Sequence, residues 1–153
     1  AQIKYVINLQ GDLPLIDPAI MIDIIAKLKS TDADIVTAVS EISEGKATMP
    51  SNVKVVVSDK DKALYFSRSM IPYNADKYWY HIGIYGYSIS ALEKFVSLKP
   101  SRLENIEKLE QLRALENNMD IYVCYSDDIP ISVDTQEDLD EVRKIFASTK
   151  SLI

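Results

Sequence analysis

With 153 residues, 47% of them hydrophobic and 26% charged, the chain has the size and balance of one globular domain with a sizeable core. Its net charge of -6 argues against a nucleic-acid-binding surface, which needs clustered Lys and Arg, so any phosphate it handles must be small or neutralised by a metal and a few local cations. No apolar run approaches the roughly 18 residues of a membrane span, and the single cysteine, Cys124, allows no intrachain disulfide and points to a reducing, cytoplasmic setting.

The apolar run of residues 5–9, closed by Gly11, predicts a buried central strand that delivers Gln10 and Asp12 to its carboxyl end, where open α/β sheets bind their ligands. A carboxylate beside a glycine there suits a hard cation and a phosphate-bearing substrate as well as it suits a plain turn. Asp17-Pro18 then offers an N-cap and a first helical residue, and Ile20, Met21, Ile24, Ile25 and Leu28 share one face of the helix that follows. Residues 35–39 predict a strand and residues 41–52 a loop. Residues 53–57 and 64–66 flank the turn signal Ser58-Asp59-Lys60-Asp61 and predict a hairpin, with Arg68 just past its end.

Residues 80–87 alternate with period two, which sets Ile82 and Ile84 on one face and His81, Gly83, Tyr85 and Tyr87 on the other. Two helices with capping-box signals follow, Ser90 with Glu93 and Ser101 with Glu104. The second is expected to run on through Leu103, Ile106, Leu109, Leu112 and Leu115, with Glu104, Glu107, Glu110 and Gln111 around its circumference and Glu104 paired to Lys108. A strand at 121–125 precedes Asp134-Thr135, which also fits the N-cap of a last amphipathic helix carrying Leu139, Val142, Ile145 and Phe146. The whole reads as a single α/β domain over residues 1–153, a mixed, mostly parallel sheet with flanking helices and an antiparallel insertion near residues 53–87.

Six stretches stand in order: Gln10-Gly11-Asp12-Leu13-Pro14; Asn52-Val53-Lys54-Val55-Val56; Ala63-Leu64-Tyr65-Phe66-Ser67-Arg68; His81-Ile82-Gly83-Ile84-Tyr85-Gly86-Tyr87; Leu103-Glu104-Asn105-Ile106-Glu107-Lys108-Leu109-Glu110-Gln111-Leu112-Arg113; and Val133-Asp134-Thr135 with Glu137-Asp138-Leu139. Together they resemble the 3-deoxy-manno-octulosonate (KDO) cytidylyltransferase family, the CMP-KDO synthetases of lipopolysaccharide biosynthesis. The resemblance implies a nucleotide-diphospho-sugar transferase fold of Rossmann-like type, a homodimer, and a reaction of CTP with KDO that gives CMP-KDO and pyrophosphate with Mg2+. It implies that Asp12 and Asp134 are catalytic metal ligands. It also implies that Gln10, Arg68, His81, Tyr85, Glu110 and Gln111 bind the sugar acid, Arg68 and His81 serving its carboxylate and the others its hydroxyls. Catalysis would rest on positioning and charge stabilisation of an in-line attack by the anomeric hydroxyl, without a covalent enzyme intermediate.

Two departures stand out. Leu13 occupies a place where many relatives carry Glu, and the amino-terminal glycine- and basic-rich CTP loop of the family is missing, so the chain is expected to be a truncated cytidylyltransferase domain. The alternatives are a CMP-sialic acid synthetase-like enzyme and a non-catalytic assembly or dimerisation module of the same fold.

Overall fold

The computed structural model describes residues 3–133 and 135–150. In chain order the elements are β1 (Tyr5–Leu9), α1 (Pro18–Ser30), β2 (Ile35–Ile42), α2 (Glu44–Ala47), β3 (Lys54–Val57), β4 (Ala63–Ser67), β5 (Tyr78–Ser88), α3 (Ile89–Ser97), α4 (Arg102–Glu107), α5 (Leu112–Glu116), β6 (Ile121–Ser126) and α6 (Gln136–Lys150). The strands form one sheet in the order β4-β3-β5-β2-β6, with β1 also paired to β5. β5 is long enough to serve β2 along one edge while its other edge takes β3 near Trp79 and Tyr80 and β1 from Ile84 to Ser88.

The mixed α/β sheet with flanking helices is as expected, but its balance is not. Among the described residues only β2 and β6 run parallel, and every other pairing is antiparallel. Pairing direction is set by how connections cross the sheet, which an apolar run does not record. The same holds for β1, which is no buried central strand: its side chains are half-buried to exposed, and among the described residues it pairs along one edge alone.

Two apolar layers sandwich the sheet. α1 lays Ile20, Ile24 and Leu28 on Val36, Ala38, Ile82 and Ile84, its amino end capped by Asp17, which accepts from Ala19 N at 2.9 Å, with Pro18 at the first position. The other face packs Phe95, Leu109, Leu112 and Met119 on Ile35, Val39, Phe66, Tyr87 and Ile121. The alternation read in residues 80–87 is therefore real, Ile82 and Ile84 facing α1 and Tyr85 and Tyr87 facing away.

The first helix after β5 is capped by Ser88 rather than Ser90, its hydroxyl accepting from Ala91 N at 3.1 Å. The long helix expected from Leu103 to Leu115 is broken. Lys108 adopts the left-handed conformation at φ 57° and ends α4, so that Glu110 and Gln111 stand in the turn before α5. Nor are Glu104 and Glu107 a solvated acidic face. Glu104 accepts from Ser101 N at 2.8 Å and holds Arg113, not Lys108, through both carboxylate oxygens. That pairing keeps the Glu104 carboxyl below its ordinary pKa.

Candidate substrate and metal cleft

A cleft of about 470 Å³ opens where β1, the middle of β5, the turn before α5 and the segment leading to α6 meet. Its walls include Gln10, Asp12, Arg68, His81, Tyr85, Glu110 and Gln111, so every predicted site residue that the structure describes lines one space. Asp134 lies outside the described residues. A smaller cavity of about 200 Å³ continues from it past Tyr87 and Phe95, sharing Gln10, Tyr85, Glu110 and Gln111 as a common wall.

The loop after β1 is fixed at both ends. Leu13 is buried in the layer under α1, so it anchors the loop while also contributing to the cleft wall. Val133 N donates to Asp12 O at 2.8 Å, and Ser132 Oγ stands 3.4 Å from Asp12 Oδ2. Among the described residues no Lys or Arg pairs with the Asp12 carboxylate, and no three His, Cys, Asp or Glu gather into a metal cluster. One or two carboxylates suffice for Mg2+, which keeps its remaining positions for water and substrate phosphate. An exposed, charge-uncompensated Asp12 beside a hydroxyl fits such an ion.

Arg68 is held by backbone. Its Nε donates to Glu107 O at 2.9 Å, Nη1 to Pro50 O at 3.2 Å and Nη2 to Lys108 O at 3.3 Å. Each Nη has a second hydrogen with no acceptor among the described residues, which leaves donors for an anion. The Glu107 carboxylate in turn accepts from Ser67 Oγ at 2.7 Å and Arg68 N at 3.1 Å. Underneath, the wholly buried Lys54 donates to Arg68 O at 2.6 Å and Met49 O at 3.0 Å. Neither Glu107 nor Lys54 was expected as part of the site. Both lie in the quoted motifs, but the bonds that tie them to Arg68 reach across 39 and 14 residues.

His81 is 7% exposed, with its Nε2 2.9 Å from Thr37 Oγ1 and its Nδ1 3.5 Å from Gln111 Nε2. Burial lowers its pKa to about 3, so at neutral pH the ring carries no charge. His81 therefore faces the cleft as a neutral hydrogen-bonding ring and not as a cation, and it packs edge-on to Phe66 with centroids 5.0 Å apart. Tyr85 stacks against it at 5.4 Å, and burial pushes the Tyr85 phenol well up, so its O–H stays protonated. Among the described residues that hydroxyl has no hydrogen-bond partner, which makes it a donor toward the cleft.

The neutral, buried His81 has a pH consequence with a definite sign. Its folded pKa lies below the ordinary 6.5, so the unfolded chain takes up a proton the native ring refuses, and stability is lost as pH falls from 6.5 toward 3. Urea unfolding at pH 6.5 and pH 5 should differ by roughly 2 kcal/mol from this group, and His81→Gln should flatten that limb. An unchanged slope in the variant would show that the ring is not shielded.

Residues 1–121 match the cytidylyltransferase family. The 3-deoxy-manno-octulosonate cytidylyltransferases of Rickettsia canadensis (strain McKiel) and Rickettsia felis are each 49% identical to this chain over 150 residues, 98% of its length, and the matched part is 62% and 61% of theirs. A solved structure of CMP:2-keto-3-deoxy-manno-octonic acid synthetase complexed with CTP superimposes on it with a TM-score of 0.92 at 35% identity, covering 97% of this chain and 64% of the other. The chain thus spans about three fifths of the length of the proteins it resembles.

Proposed function

We propose, starting from the fact that the chain belongs to the cytidylyltransferase family, that it carries the sugar-acid and metal side of an enzyme joining CTP to KDO to give CMP-KDO and pyrophosphate. The observation that carries the reading is that one cleft gathers a charge-uncompensated Asp12, a tethered Arg68 with free donors, and the turn residues Glu110 and Gln111. A polyhydroxy acid needs that combination, a two-pronged cation for its carboxylate and several acceptors for its hydroxyls. The relatives' names and the CTP complex of the similar structure support the same assignment.

In this reading Asp12 and Asp134 hold Mg2+, and the bond from Val133 N to Asp12 O, one residue before Asp134, supports their partnership. When bound, the ion offsets phosphate charge so that a second anion can approach. Arg68 binds the KDO carboxylate, Tyr85 donates to a hydroxyl, and Gln10, Glu110 and Gln111 accept from others. The protein's part is to hold the sugar acid in register for in-line attack on the nucleotide. We read residues 1–153 as a single α/β domain, which spans 61–62% of the relatives' length. A homodimer in the cytoplasm belongs to the same proposal. Among the described residues no helix is long and apolar enough to cross a membrane.

Calorimetry of the chain with KDO and Mg2+ tests the proposal. Saturable binding of KDO that Arg68→Met weakens at least tenfold is the expected result. Preference for sialic acid over KDO would move the reading to a CMP-sialic acid synthetase-like enzyme. Binding of neither, with tight self-association, would favour an assembly module.

A further inference from the structure

The bulge in the β2–β5 pairing, between Thr37 and Ala38, is where the cleft's buried wall is set. Thr37 is fully buried there, its Oγ1 2.7 Å from Ile84 O, 3.3 Å from Ile82 O and 2.9 Å from His81 Nε2. A hydroxyl has one hydrogen to give, and a carbonyl oxygen at 2.7 Å can only accept it. The Thr37 hydroxyl therefore donates to β5's backbone, and toward His81 only its lone pair remains.

The consequence runs outward through three side chains. His81 must carry its proton on Nε2 to donate to Thr37, which leaves Nδ1 as a bare acceptor. Gln111, 6% exposed, can meet Nδ1 only with its amide N–H, as the 3.5 Å contact from Nε2 has it. Its carbonyl oxygen Oε1 is then left facing away from His81, with no hydrogen bond from any described residue, on a side chain that lines both the cleft and its inner extension.

We infer that Thr37 is a positioning residue which, through the proton on His81 Nε2, locks the Gln111 amide with its oxygen toward the cleft and so makes that position an obligate acceptor for a ligand hydroxyl. Without the Thr37 hydroxyl, nothing favours Nε2–H over Nδ1–H. The ring then takes the other tautomer, Gln111 turns over, and the same place in the cleft offers N–H donors. Selection for a hydroxyl at that place, against an ether, a carbonyl or a bare methylene, therefore begins at a residue that touches no ligand. The ligand side of this inference rests on the KDO reading above; the position of the proton does not.

The test uses the full 153-residue chain, whose one histidine gives one pair of ring nitrogen signals. In 15N-histidine spectra the wild-type ring should be neutral with its proton on Nε2, Thr37→Val should move that proton wholly or partly to Nδ1, and Thr37→Ser should restore it. A wild-type proton on Nδ1, or a Thr37→Val protein still protonated on Nε2, overturns the relay. The second arm titrates KDO and its monodeoxy analogues. One analogue should bind wild type about tenfold more weakly than KDO, and in Thr37→Val that discrimination should shrink to less than threefold. Equal discrimination in both proteins overturns the link from Thr37 to the cleft. If wild type fails to bind KDO at all, the functional reading falls, while the ring signals still decide for or against the relay. Should Thr37→Val not fold, the wild-type tautomer and Thr37→Ser carry the decision.

Discussion

Replacing Lys54 by alanine should lower the unfolding free energy by about 4 kcal/mol and loosen the rim of the cleft. The side chain is fully buried, and its ammonium is the donor that Met49 O and Arg68 O both use. Desolvation, with the neighbouring Arg68 charge, lowers its pKa, while Glu107 acts the other way. Alanine removes the aliphatic stem, leaving a cavity, and strands two carbonyls without their charged partner. Lys54→Met separates the contributions: it nearly keeps the volume, and should cost about 2 kcal/mol for the carbonyls alone. Both variants should also weaken KDO binding, because Lys54 holds Met49 O, next to the Pro50 carbonyl that accepts from Arg68 Nη1, and the carbonyl of Arg68 itself. Urea titrations read the first effect and calorimetry the second. A Lys54→Ala protein within 1 kcal/mol of wild type would mean that the buried ammonium contributes little.

Gly86→Ala is the second large effect, expected at about 3 kcal/mol. Gly86 pairs with Ile7 on one side and Val36 on the other, at the place where α1 crosses the sheet. Its φ is not positive, so conformational freedom is not what the position needs. The need is space: a Cβ here would overlap Ile24 Cγ2 outright and stand 3.0 Å from Leu28 Cδ1. Ile24 is β-branched and held in a helix, so it has little rotamer freedom with which to yield, and α1 must lift from β5. Ile24→Ala removes the overlapping methyl, so the double variant should be clearly more stable than the two single losses added together. Strict additivity would place the strain elsewhere. At Gly83, by contrast, a Cβ would meet only Gln10 Cγ at 3.6 Å, an ordinary contact.

Much of the architecture was legible where a local pattern has one physical meaning. The alternation of Ile82 and Ile84 with His81 and Tyr85, the helix begun by Asp17-Pro18, and the turn at Ser58 to Asp61 all became the predicted elements. Thr135 is also the cap expected of it, since its hydroxyl accepts from Asp138 N while the Asp138 carboxylate accepts from Thr135 N. The break at Lys108 was not legible. Leu103, Leu109, Leu112 and Leu115 keep helical spacing straight through it, and no glycine marks the left-handed residue. That break redirects everything around it: Arg113 rather than Lys108 meets Glu104, and Glu110 and Gln111 leave a helix face for a turn. The gathering of seven site residues into one cleft was carried by resemblance, because nothing in the spacing of Gln10, Arg68 and Glu110 brings them together. The chemical state of His81 was hidden for a different reason. A ring's charge depends on how deeply it is buried and on which groups face its nitrogens, and Thr37, which supplies one of them, is 44 residues away.

The contact between the first loop and the segment before α6 joins residues 120 apart. Formed alone in an unfolded chain, it would close a very long loop for a single hydrogen bond, an unfavourable exchange. In the folded chain β1 and β6 run in the same direction in one sheet, with β5 and β2 between them, so the loop after β1 and the segment after β6 leave from the same end of the sheet. The two halves of the cleft are thus brought together by the sheet and not by their own attraction. Among the described residues, the Asp12 carboxylate can therefore stay without a cationic partner and the Tyr85 hydroxyl without a hydrogen-bond partner, because they are not what holds the two halves in place.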